Sequence, residues 1–82
     1  MALAKIYITL KEEVLDPQGK AIKNGLETLG FQEVEDVRVG KYLEVRLEDS
    51  PRQNLEARAQ EMCQRLLANP VIENYRFEIE GS

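Results

Sequence analysis

Any chemistry in this chain has to come from carboxylates, amines, guanidinium groups and hydroxyls, because it has no histidine and only one cysteine, Cys63. Histidine is the one side chain whose ordinary pKa places its charge change near neutrality. Without it, proton transfer at pH 7 requires a Glu, Asp or Lys shifted strongly by burial in a deep, dry pocket. A chain of 82 residues has little material for such a pocket. Nucleophilic attack by Ser50, Ser82 or Cys63 lacks a partnering base. One thiol without imidazoles cannot complete a tetrahedral metal site. There is no Asp-x-Asp-x-Asp-Gly loop, and the five glycines are scattered rather than gathered in a phosphate-binding loop. Cys63 therefore reads as a small core hydrophobe. The chain is expected to act through its surface, without catalytic, metal or cofactor sites of its own.

Three stretches are more specified than folding alone demands. In Val14-Leu15-Asp16-Pro17-Gln18-Gly19, a helix start accounts for Asp16 as cap and Pro17 at the first position. It does not account for Gln18 and Gly19, since glycine early in a helix costs stability. In Val37-Arg38-Val39-Gly40-Lys41, a hairpin with glycine at positive φ and two solvated cations is the bland reading. The functional reading has Arg38 and Lys41 aimed at a partner's carboxylate or phosphate. In the run from Leu66 to Tyr75, Asn69-Pro70 suffices to stop a helix. The apolar pair Val71-Ile72 sits in a connection that ought to be solvated and suggests a covered surface. The candidate contact set is thus Lys11, Arg38, Lys41, Asn69, Pro70, Glu73 and Tyr75, with Asp16, Gln18 and Gly19 behind them.

These residues must be positioned by a small fold. The chain is read as one domain, residues 1–82, that buries about 60–65% of its unfolded surface and gains stability from association. Its composition, 43% hydrophobic and 32% charged, is that of a soluble globular protein. Fifteen acidic against eleven basic residues give a net charge of −4, which argues against binding nucleic acid. A lone cysteine gives no internal disulfide and no sign of an oxidising compartment. The N-terminal segment is interrupted by Lys5 before a signal-peptide core can form, and no apolar run approaches the ~20 residues of a membrane helix. A cytoplasmic protein is expected.

Ala4, Ile6, Ile8 and Leu10 alternate with Lys5, Tyr7, Thr9 and Lys11, the period of a half-buried strand. A helix from Asp16-Pro17 carries Ile22, Leu26 and Leu29 and stops at Gly30. It runs through Asn24-Gly25, where a close packing contact is expected at Gly25. A second strand is read over Glu33 to Val39, a tight turn at Gly40-Lys41, and a third strand through Leu43, Val45 and Leu47. Ser50, with Gln53 three residues on, opens a second helix by a capping box. That helix buries Leu55, Ala59, Met62, Cys63 and Leu66 and ends at Asn69-Pro70. Tyr75, Phe77 and Ile79 form the last strand. The expected fold class is α+β, a two-layer ferredoxin-like β-α-β-β-α-β sandwich with an antiparallel sheet and two helices on one face. Right-handed crossovers place the first and third strands centrally.

The three stretches, in this order and in a chain this short, closely resemble the PurS subunit family of phosphoribosylformylglycinamidine synthase. The match runs from Leu10-Lys11 through Val14 to Gly19, Val37 to Lys41, and Leu66 to Tyr75, with Arg76-Phe77-Glu78 closing it. Asn24-Gly25 and Asn74 depart slightly, Asn74 standing where Asp is common. The resemblance implies a small non-catalytic subunit of an ATP- and glutamine-dependent carbon–nitrogen ligase of purine biosynthesis. It implies self-association as a homodimer or higher oligomer. It also implies bridging between the large synthetase subunit PurL and the glutaminase subunit PurQ, supporting transfer of glutamine-derived ammonia. ATP, magnesium and glutamine would be used by the complex and not bound by this chain. The alternative is a stand-alone dimeric ligand-sensing module of the same fold, for which no glycine-rich strand-to-helix loop is present. An acyl-phosphate hydrolase is disfavoured because Lys11-Glu12-Glu13 would repel phosphate after the first strand.

Overall fold

The computed structural model describes residues 1–81, so Ser82 lies outside the described residues. The first strand, β1 (Ala2–Leu10), follows the predicted alternation. Ala2, Ala4, Ile6 and Ile8 are buried on one face, and Lys5, Tyr7 and Thr9 lie on the other. It is followed by helix α1 (Pro17–Thr28), strand β2 (Gly40–Leu47), helix α2 (Arg52–Met62) continued by a π-helical turn over Cys63–Leu67, and strand β3 (Glu73–Glu80). The sheet has three antiparallel strands in the order β2-β1-β3. Ile6 faces Leu43 on one side and Phe77 on the other.

The expected strand over Glu33–Val39 does not form. Its amides are taken by carboxylates before a neighbouring strand could use them. The Val37 N–H donates to Asp36 Oδ1 at 2.9 Å and the Val39 N–H to Asp16 Oδ2 at 2.7 Å, a local competition with sheet pairing. The expected turn at Gly40-Lys41 is instead the start of β2, with Gly40 opposite Thr9 and Lys41 opposite Ile8. Gly40 does not take a positive φ. It is needed because a Cβ there would lie 2.5 Å from the Ile8 carbonyl oxygen. With the predicted second strand missing, the predicted third strand becomes an edge and only β1 is central.

The core lies between the sheet and α2, where Leu55, Ala59, Cys63, Ala68 and Ile79 join the buried residues of β1. The capping box at Ser50 is not built. Pro51 caps α2 without a side-chain bond, and its carbonyl accepts from the Asn54 and Leu55 amides. Leu66, expected inside, is 83% exposed. The π turn, closed by the Ala68 N–H on the Cys63 carbonyl at 3.0 Å, widens the helix and changes its phase. Leu67 and Ala68 turn toward the core in place of Leu66.

Helix α1 behaves differently. It ends as predicted at Gly30, φ +104°. The Gly30 N–H meets the Glu27 carbonyl and the Phe31 N–H the Leu26 carbonyl, both within 3.1 Å, a Schellman closure. The contact expected at Gly25 is absent, since a Cβ there would touch nothing within 4 Å. Nor does α1 join α2 on the sheet: it makes no substantial contact with any strand, and Gly19 is its only buried residue. The molecule is therefore long and thin, 49 × 25 × 14 Å.

Candidate functional site

The three marked stretches converge at one end of the sheet. Antiparallel pairing brings the end of β1 beside the starts of β2 and β3, so Ile8 faces both Lys41 and Tyr75, and Leu10 faces Glu73. The connections entering and leaving α1 fold over the same end. A shallow cavity of about 260 Å³ there is lined by residues of all three stretches, among them Asp16, Gln18, Gly40, Lys41 and Glu73.

Asp16 organises the first part of this end. It is buried, and its two oxygens serve two segments. Oδ1 accepts from the Gly19 N–H at 2.9 Å, capping α1, and Oδ2 accepts from the Val39 N–H at 2.7 Å. The Val39 bond above all, then the Gly19 bond, holds its carboxyl below the usual carboxylate range, with Arg38 adding to the effect. Gly19 now has its reason. A Cβ at that position would overlap the Val37 carbonyl oxygen, so only glycine lets the helix start lie against the 37–39 segment. Arg38 completes the clamp, its Nη2 donating to the Lys11 carbonyl at 2.7 Å and the Val14 carbonyl at 3.0 Å. The Lys11 N–H in turn donates to the Ile72 carbonyl at 2.8 Å.

The second part is the turn into β3. Asn69 Oδ1 accepts from the Val71 N–H at 3.1 Å, and Glu73 Oε1 accepts from the Asn69 N–H at 2.7 Å, a reciprocal lock around Pro70. Glu73 Oε2 also lies 3.8 Å from Lys41 Nζ, linking this turn to β2. Tyr75 packs against the core edge. Val71 remains 77% exposed at the tip. The fixed Asn-Pro-x-x-Glu spacing is therefore explained by turn geometry, while the exposed Pro70-Val71 tip and the Lys41 amine are what this end presents outward.

Chemically the arrangement binds and holds; it does not move protons near neutrality. Among the described residues no group of three His, Cys, Asp or Glu side chains could hold a metal ion. Every resolved shift runs away from pH 7: Asp16 down, Lys5 up through its pairing with Glu80, and Tyr42 and Cys63 up through burial. Cys63, fully buried and free, is thereby kept as an unreactive thiol. Sequence reasoning missed one cluster on the open sheet face. The Tyr42 and Tyr7 ring centroids are 5.0 Å apart, and the Arg76 guanidinium sits 3.9 Å over the Tyr7 ring. The signal lay in strand register, which places Tyr42, Tyr7 and Arg76 in one row.

Comparison with known proteins matches this geometry to one family. The family model for PurS, described as phosphoribosylformylglycinamidine (FGAM) synthase, matches residues 3–81. The chain belongs to the PurS family. It is similar to the phosphoribosylformylglycinamidine synthase subunit PurS of Bacillus subtilis (strain 168), with 51% identity over 80 residues, covering 98% of this chain and 94% of that one. The C2 crystal form of B. subtilis PurS superposes with a TM-score of 0.86 at 51% identity, covering 99% of this chain and 100% of that chain. A chain of the PurLQS structure from Thermotoga maritima shares the fold, with a TM-score of 0.85 at 23% identity over 98% of this chain and 99% of that one. The small α+β fold, an antiparallel sheet with two helices, is thus that of PurS structures, α1 and its clamp included. No described helix is long and apolar enough to cross a membrane.

Proposed function

We propose that this chain is the non-catalytic docking subunit of a phosphoribosylformylglycinamidine synthase in the cytoplasm, bridging a PurL-type synthetase subunit and a PurQ-type glutaminase subunit. In this reading it associates with itself, binds no cofactor, and supports passage of glutamine-derived ammonia by packing the junction against water. ATP, magnesium and glutamine are handled by the neighbouring subunits. Membership of the PurS family, matched over residues 3–81, is the observation that carries it. The resolved pKa shifts, all directed away from neutrality, agree with a role that transfers no protons.

The contact surface is the sheet end that gathers Lys11, Asp16, Gln18, Gly19, Arg38, Lys41, Asn69, Pro70, Glu73 and Tyr75. Within it the roles divide. Asp16, Gly19, Arg38, Asn69 and Glu73 hold the backbone in place. Lys41, at 58% side-chain exposure, with Pro70 and Gln18, faces the partner. Reconstitution with synthetase and glutaminase subunits tests this. Glutamine-driven product formation should need this chain, and ammonia-driven formation should need it far less. Lys41→Glu should fold normally and lower the glutamine-driven rate several-fold. Equal rates with and without the chain would defeat the bridging role. Unchanged rates for Lys41→Glu would move the contact elsewhere.

A further inference from the structure

We infer that α1 is an arm exchanged between two copies of this chain, each copy's α1 completing the helical layer over the other's sheet beside α2. This rests on the self-association proposed above and specifies its mode.

The chain carries both a donor and an acceptor, and neither is satisfied within one copy. The donor is α1 with its flanks. Ile22 is 47% exposed, Leu29 75%, Leu15 74% and Phe31 48%, a row of apolar side chains that a single chain leaves in water. The acceptor is the half of the core face that α2 does not reach. Because α2 packs toward β3, Leu43, Val45 and Leu47 of β2 are only partly buried. A groove of about 330 Å³ opens there, walled by Val45, Met62, Leu66 and Leu67, with Leu66 83% exposed at its rim.

Filling the groove with the chain's own α1 is opposed by the clamp. The Asp16 bonds to Gly19 and Val39 and the Arg38 bonds to Lys11 and Val14 tie both roots of the arm together and aim it off the sheet. The clamp would have to break for α1 to fold back. A second copy needs no such break, and one two-fold operation satisfies both donors and both acceptors, since an isologous contact is self-complementary. The areas agree. The chain exposes 6065 Å², against about 5,000 Å² for a compact chain of its mass. The excess of about 1,000 Å² is comparable to the roughly 800 Å² that each partner buries in a standard interface. The radius of gyration of 16.2 Å, against about 12 Å for a compact domain of this length, says the same.

The test is complementation between two variants at exposed positions, where folding is not at stake: Ile22→Asp in the arm and Leu66→Asp in the groove. Light scattering after gel filtration should give the wild type twice the 9.4 kDa chain mass or a multiple of that. Each variant alone should dissociate at least about tenfold more readily. Mixing the two should restore a heterodimer, which keeps one intact arm–groove pair. Variants that weaken association but are not rescued by mixing would place α1 on its own sheet and overturn the exchange. Variants that associate like wild type would also overturn it, pointing to pairing along the β2 edge while leaving self-association standing. A monomeric wild type would remove self-association as well.

Discussion

The two halves of the molecule are held by different physics. In the sheet half, β1 is clasped on both sides and capped by α2, and Ala4, Ile6, Ala59 and Cys63 are wholly excluded from water. In the arm half, α1 buries one residue, Gly19, and is held at its root by a carboxylate, a guanidinium and backbone amides. Apolar burial gives the first half stability that no other molecule supplies. The polar clamp gives the second half direction, leaving its apolar row for another surface. A small chain can thus be a self-standing sheet and an unfinished interface at once.

Substitutions should separate the halves by size of effect. Ile6→Ala, in the closed core, should cost about 2–5 kcal/mol in urea unfolding; a loss below 1 kcal/mol would mean that the core is not where the sheet's stability lies. Gly19→Ala forces a methyl against the Val37 carbonyl and should cost about 1–3 kcal/mol. It should also shorten the arm's reach as seen by small-angle scattering. An unchanged profile would detach the clamp from arm direction.

Asp16→Asn keeps one acceptor but turns an amide donor or a lone oxygen toward two N–H groups. Loss of part of the cap should lower the melting temperature by about 4–8 °C. Because the folded carboxyl titrates below its unfolded value, its contribution is complete above the ordinary carboxylate pKa. It fades as pH falls through the depressed folded pKa. Melting curves between neutral and acid pH should therefore converge for wild type and Asp16→Asn at the acid end; a constant gap would show that the carboxylate charge is irrelevant. Gly25→Ala meets open space and should stabilise α1 by about 0.4–1 kcal/mol. A loss there would reveal a contact at Gly25 that one copy alone does not make.

Much of this was legible in order and period. The alternation of β1, the Asp16-Pro17 start and Gly30 stop of α1, and the Tyr75-Phe77-Ile79 strand all stand as read. The contact residues, picked for their spacing, do gather at one end, because antiparallel strands bring the tail of β1 beside the heads of β2 and β3. The failures share a cause: non-local bonds outbid local pattern. Val39 looked like a strand residue until its amide went to Asp16, 23 positions away. Arg38 looked like a free anchor until its guanidinium closed on the Lys11 and Val14 carbonyls. Leu66 kept helical spacing, but the Ala68–Cys63 π closure changed the phase beneath it.

The sequence by itself determined the secondary elements with strong period, the acid–base poverty of the chain and the residues that mark one end of it, because each depends on neighbours within a few positions. Tertiary structure alone decided that three strands pair rather than four, that Asp16 and Arg38 clamp the roots of α1, and that this helix leaves the sheet uncovered. Those outcomes rest on bonds between residues far apart in the chain, whose competition with local pattern is settled only when the chain has folded around them.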